Sequence, residues 1–219
     1  MIGGVVAASG SGSGGSPYED SLLVMDFILG EYWVGSTEVA ASTVIDNPSY
    51  ITASGLQLVD THPAPTHIIG AALSVVLGME WTIVMEWLDI YASDITAPFS
   101  AAANQIASTD DFWTESTSTT FDAYDAPAPG ADREASRTGL TAAPVIRRAA
   151  ITRTSSKLAV SVNGSSVTSD TTASESVGFT DAAFGGRPYE SFVRLDVNIR
   201  RFIVYPVQSD AALPGLSTV

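Results

Sequence analysis

The stretch from residue 109 to 133 places aromatic residues and carboxylates close together. An aromatic ring offers a flat apolar surface on which a pyranose can stack, and carboxylates accept hydrogen bonds from sugar hydroxyls. Trp113 and Tyr124, flanked by Asp111 and Asp122, meet both requirements. The alternative is that these aromatic side chains anchor a loop to the rest of the fold. The four residues form the candidate glycan-binding set.

The same stretch contains aspartates that could bind a hard cation. Ca²⁺ prefers carboxylate and carbonyl oxygens as ligands. The candidate calcium ligands are Asp110, Asp111, Asp122 and Asp125. Their spacing is not that of an EF-hand loop, and a solvated acidic loop is the alternative interpretation. Ca²⁺ is the one cofactor that the sequence suggests.

Glycoside hydrolysis requires two carboxylates that flank one bond. Glu86 and Asp89 lie in the apolar run Trp81–Tyr91, but a separation of three residues points them to opposite faces of a strand. Glu80 and Glu86 could share a face, yet they would lie about 20 Å apart, which is too far for either known geometry. The sequence therefore predicts a binding protein and not an enzyme.

The only two histidines are His62 and His67, in the segment THPAPTH. No Gly-x-Ser-x-Gly motif accompanies them, as a Ser-His-acid hydrolase of the common type would require. Their spacing of five residues also differs from that of a helical zinc pair. We interpret both as exposed loop residues. The absence of cysteine excludes disulfides and thiolate metal sites.

Charge is distributed unevenly along the chain. The formal net charge is -14, and all ten basic residues lie between Arg133 and Arg201. A surface this acidic repels phosphate backbones, so nucleic acid is not an expected partner. The longest apolar stretch, from Leu73 to Ile90, contains Glu80, Glu86 and Asp89, and membrane insertion is therefore not expected.

Short strands separated by turn residues are predicted along much of the chain. Trp81–Tyr91 is rich in aromatic and β-branched residues, which favours a strand in the middle of a sheet. Val145–Thr154 and Lys157–Val162 are predicted to be strands, and Asn163-Gly164 is typical of a hairpin turn. The alternation of apolar and polar residues slips at Arg200-Arg201, which indicates a bulge. Trp33, Trp81 and Trp87 are assigned to the core.

The remaining segments are predicted to be irregular. Small and polar residues prevail from 92 to 144, and this composition indicates long loops that could bind a ligand. Gly10–Ser16 has the sequence GSGSGGS, which behaves as a flexible coil. We therefore expect a flexible arm over residues 1–16 and a single domain over 17–219, whose first 30 or so residues could form an attachment segment.

Three segments together carry a family resemblance. They are WTIVMEW at 81–87, RRAAITRTSSKLAVSVNG at 147–164 and IRRFIVYPVQSDAALPGLS at 199–217. Their order and spacing resemble the concanavalin A-like lectin and glucanase superfamily, of the laminin-G-like jelly-roll type, particularly the versions in bacteriophage tail and head-fibre proteins. The resemblance implies a mostly β fold, a two-sheet antiparallel β-sandwich. The first 50 residues lie outside it.

The resemblance also implies a function. It suggests a non-enzymatic virion protein of a bacteriophage, made in the host cytoplasm, that binds host-surface glycan as a fibre, spike or other surface component. The arm at 1–16 would bind other virion subunits, and the protein would be a homo-oligomer, with a trimer favoured. One alternative is a purely structural decoration or connecting protein of the capsid or tail. The other is a glycan depolymerase.

Overall fold

The computed structural model describes residues 18–59, 65–78, 80–89, 97–103, 110–127, 132–142, 145–173, 179–186 and 197–219. The predicted arm at 1–16 and His62 lie outside the described residues. The side chains of Asp89 and Asp110 lie outside them as well.

The described residues form sixteen strands and two short α-helices. In chain order the strands are β1 (Leu23–Asp26), β2 (Glu31–Val34), β3 (Thr37–Glu38), β4 (Ile51–Thr52), β5 (Gly55–Leu58), β6 (Thr66–His67), β7 (Trp81–Asp89), β8 (Phe99–Ala102), β9 (Asp110–Ser116), β10 (Phe121–Pro127), β11 (Arg133–Arg137), β12 (Val145–Thr154), β13 (Lys157–Val162), β14 (Thr168–Asp170), β15 (Asp181–Phe184) and β16 (Val197–Tyr205). The helices are α1 (Gly70–Val76) and α2 (Leu213–Leu216). None of the described helices has the length and apolar composition needed to cross a membrane.

The strands pair into two antiparallel sheets. Among the described residues, the larger sheet has ten strands, in the order β14-β13-β12-β7-β16-β1-β2-β3, with β5 pairing with β16 and β4 with β5. The smaller sheet has six strands, in the order β11-β10-β9-β8-β15-β6. This architecture confirms the predicted two-sheet antiparallel β-sandwich.

The two sheets pack face to face through large aromatic side chains. Trp81 of the larger sheet lies with its ring centroid 5.1 Å from that of Phe112 in the smaller sheet. Phe99 and Phe202 make a second contact between the sheets, at 4.9 Å. Trp87 is fully buried in the same cluster. The assignment of Trp81 and Trp87 to the core is therefore confirmed.

The central part of the larger sheet follows the sequence patterns closely. Strand β7 lies between β12 and β16, as predicted for the most apolar strand. The bounds of β12 and β13 agree with the predicted ones. Asn163 and Gly164 adopt positive φ angles of 50° and 72°, as a tight turn requires, and the pairing register shifts between Ile199 and Arg201, which confirms the bulge.

A second apolar cluster covers the outer face of the larger sheet. The C-terminal helix α2 contributes Leu213, which is buried there with Val24 and Ile203. Trp33 packs against this outer cluster and is only half-buried. It therefore belongs to this outer cluster and not to the core between the sheets, because strand alternation in β2 turns Tyr32 inward and Trp33 outward.

Within the predicted long loop at 109–133, residues 110–127 instead form a hairpin of two seven-residue strands, β9 and β10. Many of its residues are small or polar and have little strand preference of their own. The alternate positions Phe112, Phe121 and Ala123 are buried between the sheets. Burial of this inner face outweighs the weak local preference, so the prediction of a loop was wrong.

Arg147 fixes the turn between β9 and β10. Its side chain is fully buried, and its Nη1 donates a hydrogen bond of 2.7 Å to the hydroxyl of Ser116. The guanidinium also donates to the carbonyl oxygens of Thr117 at 2.5 Å and Ser118 at 2.6 Å. These bonds satisfy turn carbonyls that strand pairing leaves free. The hairpin is thereby held against the larger sheet.

Candidate functional site

Trp113 and Tyr124 lie side by side on the outer face of the smaller sheet. They are direct partners in the pairing of β9 with β10, and Glu134 of β11 is the next residue in the same row. The two rings stack with their centroids 4.9 Å apart and their planes 15° from parallel. Both side chains are half-buried. Each ring therefore covers one face of the other.

Carboxylates surround this aromatic pair. Glu115 accepts a hydrogen bond of 3.1 Å from the indole Nε1 of Trp113 and so orients the ring. Asp122 lies opposite Glu115 in the register and accepts a hydrogen bond from the hydroxyl of Ser136. The structure therefore brings together Trp113, Tyr124 and Asp122, three of the four predicted glycan-binding residues.

Asp111, the fourth predicted residue, lies on the same face but is not accessible. It stands opposite Ala102 on one side and Ala126 on the other. Only 2% of its surface is exposed. Direct contact between Asp111 and a glycan is therefore not supported by its position.

Asp125 points into the interior, away from the sheet face that carries Trp113 and Tyr124, and reaches only the wall of a cavity beside them. It is 1% exposed, and its carboxylate forms ion pairs with Arg133 and with Arg153, the latter at 3.1 Å. Two guanidinium groups at one carboxylate compete with a cation for its oxygens. The position of Asp125 therefore does not support the expectation that it is a calcium ligand. Among the residues that the structure describes, no three acidic or histidine side chains are grouped to hold a metal ion.

A cavity of about 320 Å³ opens beside the aromatic pair, at the edge where the two sheets meet. Its lining includes Trp113, Tyr124, Asp132, Arg133, Glu134 and Asp170. Asp170 belongs to β14 of the larger sheet, and its Oδ2 accepts a hydrogen bond of 3.2 Å from the backbone N–H of Glu134. A hydrogen bond from the backbone N–H of Thr172 is the main reason that the pKa of Asp170 is lowered. Asp170 is therefore charged at neutral pH.

Sequence reasoning missed Glu115, Glu134 and Asp170. The first was detectable, because the two-residue alternation of a strand places Glu115 on the same face as Trp113. The other two come from β11 and β14, and only the sheet topology shows that they reach the same cavity.

Comparisons with known proteins show what this architecture is similar to. Neither a family model nor a curated protein matches the sequence. Among solved structures, the CBM40 module of the Ruminococcus gnavus IT-sialidase, bound to α2,3-sialyllactose, matches with a TM-score of 0.57 and 16% identity. The match covers 67% of this chain and 87% of that module. The chain has the jelly-roll fold of a carbohydrate-binding module.

Two larger enzymes contain a similar domain. A leech intramolecular trans-sialidase matches over 75% of this chain with a TM-score of 0.56 and 17% identity. The NanB sialidase from Streptococcus pneumoniae matches over 67% with a TM-score of 0.53 and 16% identity. This chain corresponds to only 26% of the leech enzyme and 25% of the bacterial one. Identities this low show the fold alone.

Glu86, the strand carboxylate considered for hydrolysis, lies on the outer face of the larger sheet. It is 5% exposed, and its oxygens accept hydrogen bonds from Arg200 at 2.9 Å and Arg201 at 3.3 Å. Glu80 is engaged elsewhere, by the backbone and hydroxyl of Ser155. The two carboxylates therefore do not face one another across a shared cleft.

A second cavity, of about 440 Å³, opens on that outer face. Tyr18, Tyr205, Gln208 and Leu216 line it together with Glu19 and Asp20. Both tyrosines pack against the outer apolar cluster.

The sequence predicts that His67 is an exposed loop residue, but the structure places it half-buried in a strand. It lies in β6, and its Nδ1 is 3.0 Å from Oδ1 of Asp181 in the neighbouring strand β15. The hydrogen bond with Asp181 raises the pKa of His67 above the ordinary value of 6.5, with burial acting in the opposite direction and Asp46 adding to the increase. The pair ties the edge strand of the smaller sheet to its neighbour.

Replacing His67 with glutamine is expected to cost most stability at acid pH. A folded-state pKa that is raised stabilises the protein fully below 6.5, and this stabilisation is lost as pH rises through the raised value. The difference in melting temperature between wild type and His67→Gln should therefore be larger at about pH 5.5 than at about pH 8.5. A difference that stays constant or grows with pH would contradict the role given to this ion pair.

Proposed function

We propose that this protein is a non-catalytic glycan-binding module whose ligand stacks on the Trp113–Tyr124 pair. The observation that carries the proposal is a stacked aromatic pair on an outer sheet face, beside a cavity lined by carboxylates. Stacking surfaces next to hydrogen-bond acceptors are what sugar recognition requires. The fold supports the proposal, because the similar CBM40 module is a carbohydrate-binding one that was solved with sialyllactose.

The positions of the two rings favour binding over an anchoring role. An aromatic residue that anchors a hairpin would point into the core, as Phe112 and Phe121 do. Trp113 and Tyr124 point the other way, and Glu115 holds the indole through its Nε1. A ring that is already ordered loses little conformational entropy when a ligand stacks on it. The arrangement is therefore suited to binding without reorganisation.

The finer proposal is that this module is a surface component of a bacteriophage particle, present in the virion as a fibre or spike. Its support comes from the sequence, in the Gly/Ser-rich segment Gly10–Ser16 and the single lysine, Lys157. In this proposal residues 1–16 contact other virion subunits, the assembly is a trimer, and the glycan belongs to the surface of the host cell.

Native affinity electrophoresis tests the glycan-binding function. The purified protein is run through gels that contain different bacterial envelope polysaccharides, with calcium or with a chelator, and each polysaccharide is assayed for new reducing ends. We expect at least one polysaccharide to retard the protein, equally with calcium and with chelator, and to remain uncleaved. Unretarded migration in every gel would overturn the proposed function.

A further inference from the structure

The cavity beside Tyr124 has a strongly negative lining. It contains four carboxylates, those of Asp125, Asp132, Glu134 and Asp170, and one guanidinium, that of Arg133. Asp125 pairs with both Arg133 and Arg153, and this buried cluster carries one net positive charge against the three other carboxylates. The remaining three carboxylates face the cavity without a paired cation in its described lining.

Apart from Arg133, several basic side chains that the structure describes are engaged away from the outer face of the smaller sheet. Arg147 and Arg153 are buried between the sheets, and Lys157 pairs with Asp210. Arg200 and Arg201 pair with Glu86 on the outer face of the larger sheet. On the outer face of the smaller sheet, the described residues next to Trp113 and Tyr124 contribute carboxylates and no ammonium or guanidinium group.

Nearby carboxylates also affect the pKa of the Tyr124 hydroxyl. Burial raises the pKa of its hydroxyl to about 12, and Asp122, Glu134 and Glu115 add to the increase. Negative charge near a phenol disfavours its ionised form, so the three carboxylates act together at one point. Of these three carboxylates, Glu134 also lines the cavity.

One further group in the cavity is suited to a sugar oxygen. Arg133 is 1% exposed and lines the cavity, and its buried Nε has no hydrogen-bond partner among the described residues. A buried donor without an acceptor is costly, and a ligand hydroxyl that accepts from it removes that cost. The cavity therefore offers one N–H donor amid several acceptors.

We infer that the ligand is a glycan that carries a positively charged amino group, such as a glucosamine residue without its N-acetyl group. Its ammonium would lie against the face of the Tyr124 ring that Trp113 does not cover, and would donate hydrogen bonds to Glu134 and Asp132. An anionic sugar would bring its carboxylate toward like charges and be repelled. The inference rests on the proposed function and names the substrate class of the same site.

Titration calorimetry with three probes tests this inference. The probes are a chitosan tetrasaccharide with free amino groups, the fully N-acetylated tetrasaccharide and α2,3-sialyllactose. We expect the chitosan probe to bind about tenfold more tightly than the neutral one, since several surface ion pairs are added, and the sialylated probe not to bind. The preference should shrink at high salt, because exposed charges are screened.

A matched pair of variants localises the effect. Glu134→Gln should weaken binding of the chitosan probe about threefold and leave the neutral probe unchanged, because only one exposed charge is removed. Glu38→Gln removes an exposed glutamate from β3 of the other sheet and should change neither affinity. Both variants keep the side-chain size and are expected to fold like wild type.

The possible outcomes separate the two proposals. Equal binding of the amino and neutral probes, or tighter binding of sialyllactose, would overturn the charge preference and leave glycan binding intact. Failure of these probes, together with unretarded migration in every polysaccharide gel, would overturn both. A preference for the amino probe that Glu134→Gln does not reduce would contradict the assignment of this cavity.

Discussion

Replacing Asp125 with alanine is expected to lower the free energy of unfolding by about 3–5 kcal/mol, the range typical of breaking a buried ion pair from one side. The substitution leaves the guanidinium groups of Arg133 and Arg153 in the interior without the carboxylate that now joins them. Both arginines are almost fully buried, so water cannot replace the lost interaction. A drop of this size threatens folding of the whole domain, because domains are stable by only about 5–15 kcal/mol.

Urea denaturation measures this effect, and Asp132 provides the matched control. Asp132 is exposed and lines the same cavity. Its replacement by alanine should change stability by less than about 0.5 kcal/mol, as is usual for a surface site. If Asp125→Ala costs no more than Asp132→Ala, the buried ion pairs of Asp125 do not stabilise the fold as expected.

Replacing Trp113 with alanine is expected to weaken glycan binding by about 30-fold or more, equivalent to a hot-spot loss of about 2 kcal/mol. The indole supplies the largest apolar surface at the site, and its removal also exposes one face of Tyr124 and frees Glu115. The stability cost should be small in comparison, since Trp113 is half-buried and lies outside the core between the sheets.

Trp33 is the natural control for Trp113. Both are half-buried tryptophans on outer sheet faces, but Trp33 belongs to the larger sheet. Trp33→Ala should leave the affinity for glycan unchanged, with thermal melting used to confirm that both variants are folded. An equal loss of affinity in the two variants would mean that the effect is general and not local to the proposed site.

Much of the fold was predictable because a strand that is buried on both faces consists largely of apolar and β-branched residues. Strands β7, β12 and β13 are rich in apolar and β-branched residues, and the positive φ angles at Asn163-Gly164 suit those residue types. The hairpin of β9 and β10 was not predictable in the same way. Its inner positions include the polar residues Thr114, Ser116 and Asp125, so that its strand character depends on contacts made by distant segments.

The candidate site was predictable in its residue types but not in its geometry. Trp113, Tyr124 and Asp122 were identified by chemistry alone, and strand pairing brings them to one face. If 109–133 is taken as a loop, no pattern indicates that the side chains of Tyr124 and Asp125 point in different directions. In a strand, adjacent residues face opposite sides of the sheet. The contribution of Asp170 depends on long-range sheet topology, which local patterns do not contain.

The most direct test of the central claim is to follow the indole N–H signals of the four tryptophans by NMR while a binding glycan is added. The account predicts that the signal of Trp113, assigned through Trp113→Phe, shifts progressively and saturates. The signals of Trp33, Trp81 and Trp87 should move little, because two lie in the core and one lies on the opposite face. A shift of the Trp33 signal with an unchanged Trp113 signal would contradict the account and place the ligand at the cavity beside Tyr18 and Tyr205.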